Sequence, residues 1–249
     1  GRLGEIRRVN WIINSWWRST AYYNQSAWRA TWGGEGGGVL VNQAPHQLDL
    51  IQWLCGVPSK VYAKMIFGAH RDIVVENDVT MTLTYPNGAT GVFVTCTHDI
   101  IGTDRLEIDL SQGKIVVDNS REATIYTLAK DEDVLDKETT PEDVHRMVAS
   151  NQSGNKLFTE ETIKDDGMWG FQHIEVIDRF TRQIVTGEGL LADGSEGLLG
   201  VNLANAAFLS AWTGEEVSYP LDDDLFLEKL NEQIAKEGKW PLHKALGEA

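Results

Sequence analysis

Between Val79 and Thr97 the chain reads VTMTLTYPNGATGVFVTCT, and this alternation limits the possible folds more than any other stretch. Val79, Met81, Leu83 and Tyr85 point to one side of an extended chain and Thr80, Thr82 and Thr84 to the other, because strand side chains alternate between faces. Pro86, Asn87 and Gly88 interrupt the run where a hairpin turn needs residues that tolerate unusual backbone angles. On the returning strand either Val92, Val94 and Cys96 or Phe93, Thr95 and Thr97 share the Thr face. Residues 5–17 form a further strand with Ile6, Val9, Trp11 and Ile13 as its apolar positions, and 60–68 another. RLEIDLSQGKIVVDN is a second hairpin turning at Gln112-Gly113, and 121–128 adds one more strand. The expectation is an antiparallel sheet of six or more strands, with a Thr-rich face suited to a partner surface.

Gly33 to Gly56 reads GGEGGGVLVNQAPHQLDLIQWLCG, with five glycines in the first six positions. Without Cβ atoms, such a turn lets backbone or ligand approach closely. A helix follows, starting near or inside VLVNQAP, with Leu48, Ile51, Trp53, Leu54 and Cys55 as core-like positions and Gly56 as its stop. On a continuous helix, Asn42 and His46 share one face. If the helix begins only at Pro45, a residue suited to a first turn, His46 lies in that first turn at the positive end of the helix dipole. That end favours a neutral imidazole able to accept a proton.

Farther on, the pattern predicts helices over 168–186 and 193–213. The first carries Phe171, Ile174, Ile177, Phe180 and Ile184 on one stripe and ends at Gly187. The second is capped by Asp193 and closed by Gly214. VSYPLD reads as a short edge strand and 222–236 as a final polar helix. From about 130 to 166 the periodicity fades into a long polar excursion, with one short helix near Pro141 to Ser150. These helices cover one face of the sheet. The fold class is therefore α+β: an open, largely antiparallel sheet with helices on one face, in one domain over residues 1–249, the excursion falling at about 128–166.

A net charge of −15, from 37 acidic against 22 basic residues, argues against nucleic acid and anionic membrane surfaces as partners. No apolar run is long enough to span a membrane. Cys55 and Cys96 suggest no disulfide framework, so a reducing cytoplasm is the expected location. The sequons at Asn24 and Asn151 are then chance matches. The chain starts almost directly inside a strand, as expected of a piece with a domain before it.

Gly187 to Ala192 matches G-x-G-x-x-A but follows a helix, so it lacks the strand-turn-helix context of a dinucleotide fingerprint. The histidines are scattered and neither cysteine has a C-x-x-C partner, so no metal site is expected. His46 is either a helix histidine satisfied locally or a general base. Asp49, one turn on, either orients a neighbour or is an ordinary helix polar residue. Trp28-Arg29-Ala30-Thr31-Trp32 is either a loop with two aromatic anchors or a substrate wall, whose indoles stack on sugar rings while Arg29 binds a carboxylate or phosphate. Tyr22 and Tyr23 can contribute to that wall. His173 admits a core role or one near a cofactor.

Three segments together, EIRRVNW…WRATWGGEGGGVLVNQAPHQLDLIQWLCG, NDVTMTLTYPNGATGVF and DGSEGLLGVNLANAAFLSAWTGEEVSYPL, resemble the C-terminal domain of the Gfo/Idh/MocA oxidoreductase family. That resemblance implies an NAD- or NADP-dependent enzyme acting on a sugar, polyol or inositol. The cofactor would be held mainly by an N-terminal nucleotide-binding domain missing from this chain, which alone would then be inactive. It implies His46 as the group acting on the reacting hydroxyl, with Asn42 where many members have Asp. The family's catalytic Lys has no counterpart here. It further implies a homodimer or homotetramer through the sheet. The alternatives are an NAD-using glycoside hydrolase on the same scaffold and a non-catalytic sugar-binding module.

Overall fold

The strand-like runs pair as β1 (Ile6–Ile13), β2 (Lys60–Phe67), β3 (Glu76–Thr84), β4 (Thr90–Cys96), β5 (Asp104–Leu110), β6 (Gly113–Asp118), β7 (Glu122–Leu128), β8 (Phe158–Lys164) and β9 (Val217–Ser218). The computed structural model describes residues 2–150, 157–165, 167 and 170–237. Among these the helices are α1 (Thr20–Tyr23), α2 (Val39–Asn42), α3 (Pro45–Cys55), α4 (Glu132–Glu138), α5 (Pro141–Ser150), α6 (Phe171–Thr186), α7 (Gly197–Thr213) and α8 (Asp223–Glu237). The strands make one open sheet in the order β8-β7-β6-β5-β1-β4-β3-β2-β9. β1 and β4 run parallel, with Trp11 opposite Phe93, and every other pair is antiparallel.

The β3–β4 register sets Thr80 opposite Val94 and Thr82 opposite Val92, so Val92 and Val94 share the Thr face. Val79, Met81, Leu83 and Phe93 face the other way and are fully buried. They share one core with α7, which lies against β2 and whose Leu203, Ala204, Ala206, Ala207 and Phe208 are buried. Small residues let this helix lie close to β2 and α3. Trp32 packs edge-on against Phe208 at 5.3 Å and Trp212 at 5.2 Å, and Phe208 stacks on Trp212. β9 pairs with β2 only at Val61 and Lys60. Farther along β2 the buried Ser210 Oγ accepts the Ala63 N–H at 2.9 Å, and it donates to the Glu215 carbonyl. A side chain thus completes the edge where the short strand stops.

Four expectations need correction. Trp53 is 74% exposed and Leu54 is also exposed, because among the described residues no element buries that side of α3; Leu54 instead lines an open apolar groove with Ile108, Ile115, Ile125 and Ile163. α6 forms and ends at Gly187 in the left-handed region, yet Phe171, Ile174, Ile177, Phe180 and Ile184 are all exposed, so it does not cover the sheet. An apolar stripe shows that a helix can pack, not what it packs on. α7 begins at Gly197 rather than beside Asp193, whose carboxylate accepts the Ser195 N–H in the turn before it. Finally, the polar stretch after residue 130 holds α4 as well as α5, and it returns as strand β8. Residues 151–156 lie outside the described residues.

Phe208 is fully buried beneath two indoles. Phe208→Ala is expected to cost about 3–5 kcal/mol in urea unfolding, and a loss below about 1 kcal/mol would move the centre of the core elsewhere.

Candidate functional site

The glycine turn is pinned against β3. A Cβ on Gly38 would meet the Glu76 carbonyl oxygen at 1.9 Å, so only glycine fits. Gly36 has φ +82, in the left-handed region that favours glycine. The Glu76 side chain is completely buried. Its Oε2 accepts the Gly38 N–H at 2.8 Å and its Oε1 the Leu40 N–H at 2.9 Å, satisfying donors that a helix start leaves open. At the other end of the turn Glu237 Oε2, from the last residue of α8, accepts the Trp32 and Gly33 N–H groups at 2.8 and 3.0 Å. Glu35 inside the turn accepts the Ala30 N–H at 2.6 Å.

The helix after the turn is broken. α2 ends at Asn42, and α3 starts at Pro45 with Ala44 as its N-cap. Proline lacks the N–H that would continue the ladder and disfavours helical geometry in the residue before it. The second of the two sequence alternatives therefore holds: His46 lies in the exposed first turn of α3. No hydrogen bond joins it to Asn42.

Asn42 sits in a polar cluster. Its side-chain oxygen accepts from the Tyr22 hydroxyl at 3.0 Å and from Gln43 Nε2 at 2.6 Å, and its nitrogen donates to Glu35 Oε1. Arg29 Nη1 donates to the Tyr22 hydroxyl at 2.6 Å and lies 3.8 Å from Glu35. The Arg29 guanidinium also lies over the rings of Tyr22 and Trp28. Burial raises the Glu35 carboxyl above its usual range, opposed by the Ala30 N–H, Asn42 and Arg29.

Of the residues singled out in the sequence, Asn42, Arg29 and Trp28 thus come together, with Tyr22 between them. Trp32 and Tyr23 do not line an open surface. Trp32 is 4% exposed and holds the turn from behind, its indole N–H donating to the Val74 carbonyl. Tyr23 is buried and hydrogen-bonded to Thr97 at 2.8 Å. Asp49 and His173 are exposed. The sequence reading passed over Glu35, Glu76 and Glu237; only Glu35, the lone charge among the glycines, carried a visible signal.

Residues 1–116 match the model of the GFO/IDH/MocA C-terminal domain. This stretch belongs to that family. No curated protein matches the chain. Among solved structures, the chain is similar to the WlbA dehydrogenase from Bordetella pertussis in complex with NADH and UDP-GlcNAcA, at 25% identity and TM-score 0.64, over 89% of this chain and 57% of that one. It is similar to the WlbA dehydrogenase from Chromobacterium violaceum in complex with the same two ligands, at 28% identity and TM-score 0.65, over 89% and 56%. Levoglucosan dehydrogenase in complex with NADH shares the fold, at 20% identity and TM-score 0.67, over 89% and 60%. The chain therefore spans less than two thirds of the length of these relatives.

No strand, glycine turn and helix combine into a cradle for a dinucleotide among the described residues. Among the described residues the only parallel strand pair is β1 and β4, and the loop after β1, from Asn14 to Ser19, contains no glycine. The polar cluster around Asn42 suits the hydroxyls of a substrate instead.

Glu76 makes the anchoring of the turn sensitive to pH. Burial pushes its carboxyl from 4.5 up to about 8, against the pull of the Leu40 and Gly38 N–H groups. The unfolded chain therefore loses this proton first. The stability associated with it is fully present below about pH 4.5 and is lost as pH rises through about 8. Urea unfolding of the parent and of Glu76→Gln at pH 5 and pH 8 should show the parent losing, relative to the variant, on the order of a few kcal/mol. A parent-to-variant difference that is the same at both pH values would show that Glu76 does not titrate in this window.

Proposed function

We propose that this chain is the substrate-binding and oligomerisation part of an NAD(P)-dependent oxidoreductase acting on a secondary alcohol of a sugar, polyol or inositol. The observation that carries this reading is the order of groups after the glycine turn, the hydrogen-bonded Asn42 cluster at the end of α2 and then His46 exposed in the first turn of α3, within the stretch that matches the GFO/IDH/MocA C-terminal domain. The NADH complexes of the similar WlbA structures support it. A nucleotide-binding unit outside residues 1–249 would hold the cofactor.

In the proposed reaction His46 accepts the proton of the reacting hydroxyl, the task of a general base. The nicotinamide, when bound, supplies the acceptor for the hydride. Asn42 spends its oxygen and one N–H on Tyr22, Gln43 and Glu35, which leaves its second N–H for a substrate oxygen. The network fixes the amide and lowers the cost of ordering it on binding. Trp28 is exposed beside Arg29 and offers a sugar-stacking face.

The chain alone is expected to show no turnover with NAD or NADP across sugars and inositols, and to gain it when expressed with its nucleotide-binding unit. In that form, His46→Ala should lower kcat by about 10²–10⁴-fold with little change in KM. A kcat within a few-fold of the parent would make His46 structural. NADH should accumulate in step with product; free aglycone without net NADH would indicate the hydrolase reading instead.

For assembly we propose a two-fold pair through the outer face of the sheet, centred on Thr80, Thr82, Val92 and Val94. Next to this patch, on β5 and β6, Arg105, Glu107, Lys114 and Asp118 are already paired among themselves, while Lys64 beside Thr80 and Arg8 beside Thr90 keep cations on the face that a copy must accommodate. The resemblance to the family points to the same pair. Sedimentation equilibrium should give a dimer for the parent and a weaker one for Thr82→Lys. A monomeric parent at micromolar concentration, or a variant as dimeric as the parent, would rule this face out.

A further inference from the structure

The chain carries a large excess of acid, 37 acidic against 22 basic residues, so a local concentration of arginine runs against its composition. Such a concentration surrounds Tyr22. The Arg29 guanidinium lies 4.4 Å from the Tyr22 ring centroid and that of Arg18 lies 4.9 Å from the same centroid. Arg71 is tied to the same loop, its Nε donating to the Arg18 carbonyl at 2.9 Å.

One carboxylate answers these cations. Glu35 lies 3.8 Å from Arg29, whereas among the described residues neither Arg18 nor Arg71 has a carboxylate partner. The Nε groups of both Arg18 and Arg29 are buried with no hydrogen-bond partner in the protein. Two like charges against one ring repel each other, and a buried unpaired donor is costly. An anion bound beside this ring by the guanidiniums would offset their repulsion and offer the missing acceptor, since guanidinium forks match carboxylate and phosphate oxygens. The cluster also adjoins the substrate-facing groups, because the Tyr22 hydroxyl is hydrogen-bonded to both Arg29 and Asn42.

We propose that Arg18 and Arg29 form an anion subsite, so that the sugar taken by this site bears an acidic group, a carboxylate or a phosphate. This proposal rests on the sugar-binding reading above. The subsite would also favour entry of an anion into a protein whose overall charge repels it.

The test is titration of the 249-residue chain, followed by tryptophan fluorescence and calorimetry. The probes are glucose, glucuronate, glucuronamide, glucose 6-phosphate and inorganic phosphate. An acidic sugar should bind about ten-fold or more tightly than glucose and glucuronamide, more weakly as salt is raised. Arg18→Gln should cut that preference while binding glucose as the parent does. Preference for glucuronate identifies a carboxylate as the acidic group and preference for glucose 6-phosphate a phosphate; either supports the subsite. Equal binding of glucose, glucuronamide and the acidic sugars overturns the subsite and leaves the sugar reading intact. Binding of inorganic phosphate as tight as that of either acidic sugar reduces it to an adventitious anion site and overturns it. Binding of no sugar overturns both readings. The glucuronate–glucuronamide comparison uses the parent alone, so it decides the matter even if a variant fails to fold.

Discussion

The contact on which the rest of the site depends joins the Glu76 carboxylate to the Gly38 and Leu40 N–H groups. It fastens a glycine turn to a central strand in a place with no room for a side chain. Everything the turn carries takes its position from that bond: Asn42 is one short helix away, and α3 follows directly. Glu237 holds the other end of the turn, so two acids from distant parts of the chain fix the local frame. A buried carboxyl that accepts only backbone donors trades desolvation against satisfaction of a helix start. The trade is tolerable here because the donors otherwise left buried and unpaired would cost at least as much.

Much of the sheet was legible in the residues themselves. Hairpins with one buried face write their register into alternation, and Val79, Met81 and Leu83 with the Pro86-Asn87-Gly88 turn leave few other solutions. The parallel β1–β4 pair was not legible, because sequence periodicity says nothing of which strand lies beside which. β8 escaped for a related reason: nearly all of its residues are exposed, so it lacks the alternation that a core-facing strand shows. In α6 the stripe correctly marked a helix. In the last turn of α3 the aliphatic and indole groups of Trp53 and Leu54 looked core-like, but among the described residues nothing buries Trp53, and Leu54 only borders an open groove.

The site divides along similar lines. Pro45 fixed the start of α3, and with it the place of His46, through a purely local rule. Arg29 and Trp28 were visible as a pair of types that bind sugars and acids. Trp32 and Tyr23 shared that appearance but serve the core, since an aromatic next to a turn can face either way and only the packing of Phe208, Trp212 and Thr97 decides. Glu76 and Glu237 act on backbone atoms more than thirty and two hundred residues away in sequence, and nothing near them in the chain signals such partners.

The seryl cap on the sheet edge bears on how the molecule behaves in a crowded solution. An edge strand with free N–H groups is a template on which a neighbour can add a strand. At Ala63 the donor is already taken by Ser210 from a helix in the core, and β9 occupies the positions before it. At the far edge β8 shows solvent a row of Glu160, Glu161 and Lys164. Both borders are thus guarded by inexpensive means, one a hydroxyl and the other surface charge. A neighbour's strand therefore finds little to add to at either rim, where addition could continue into fibres.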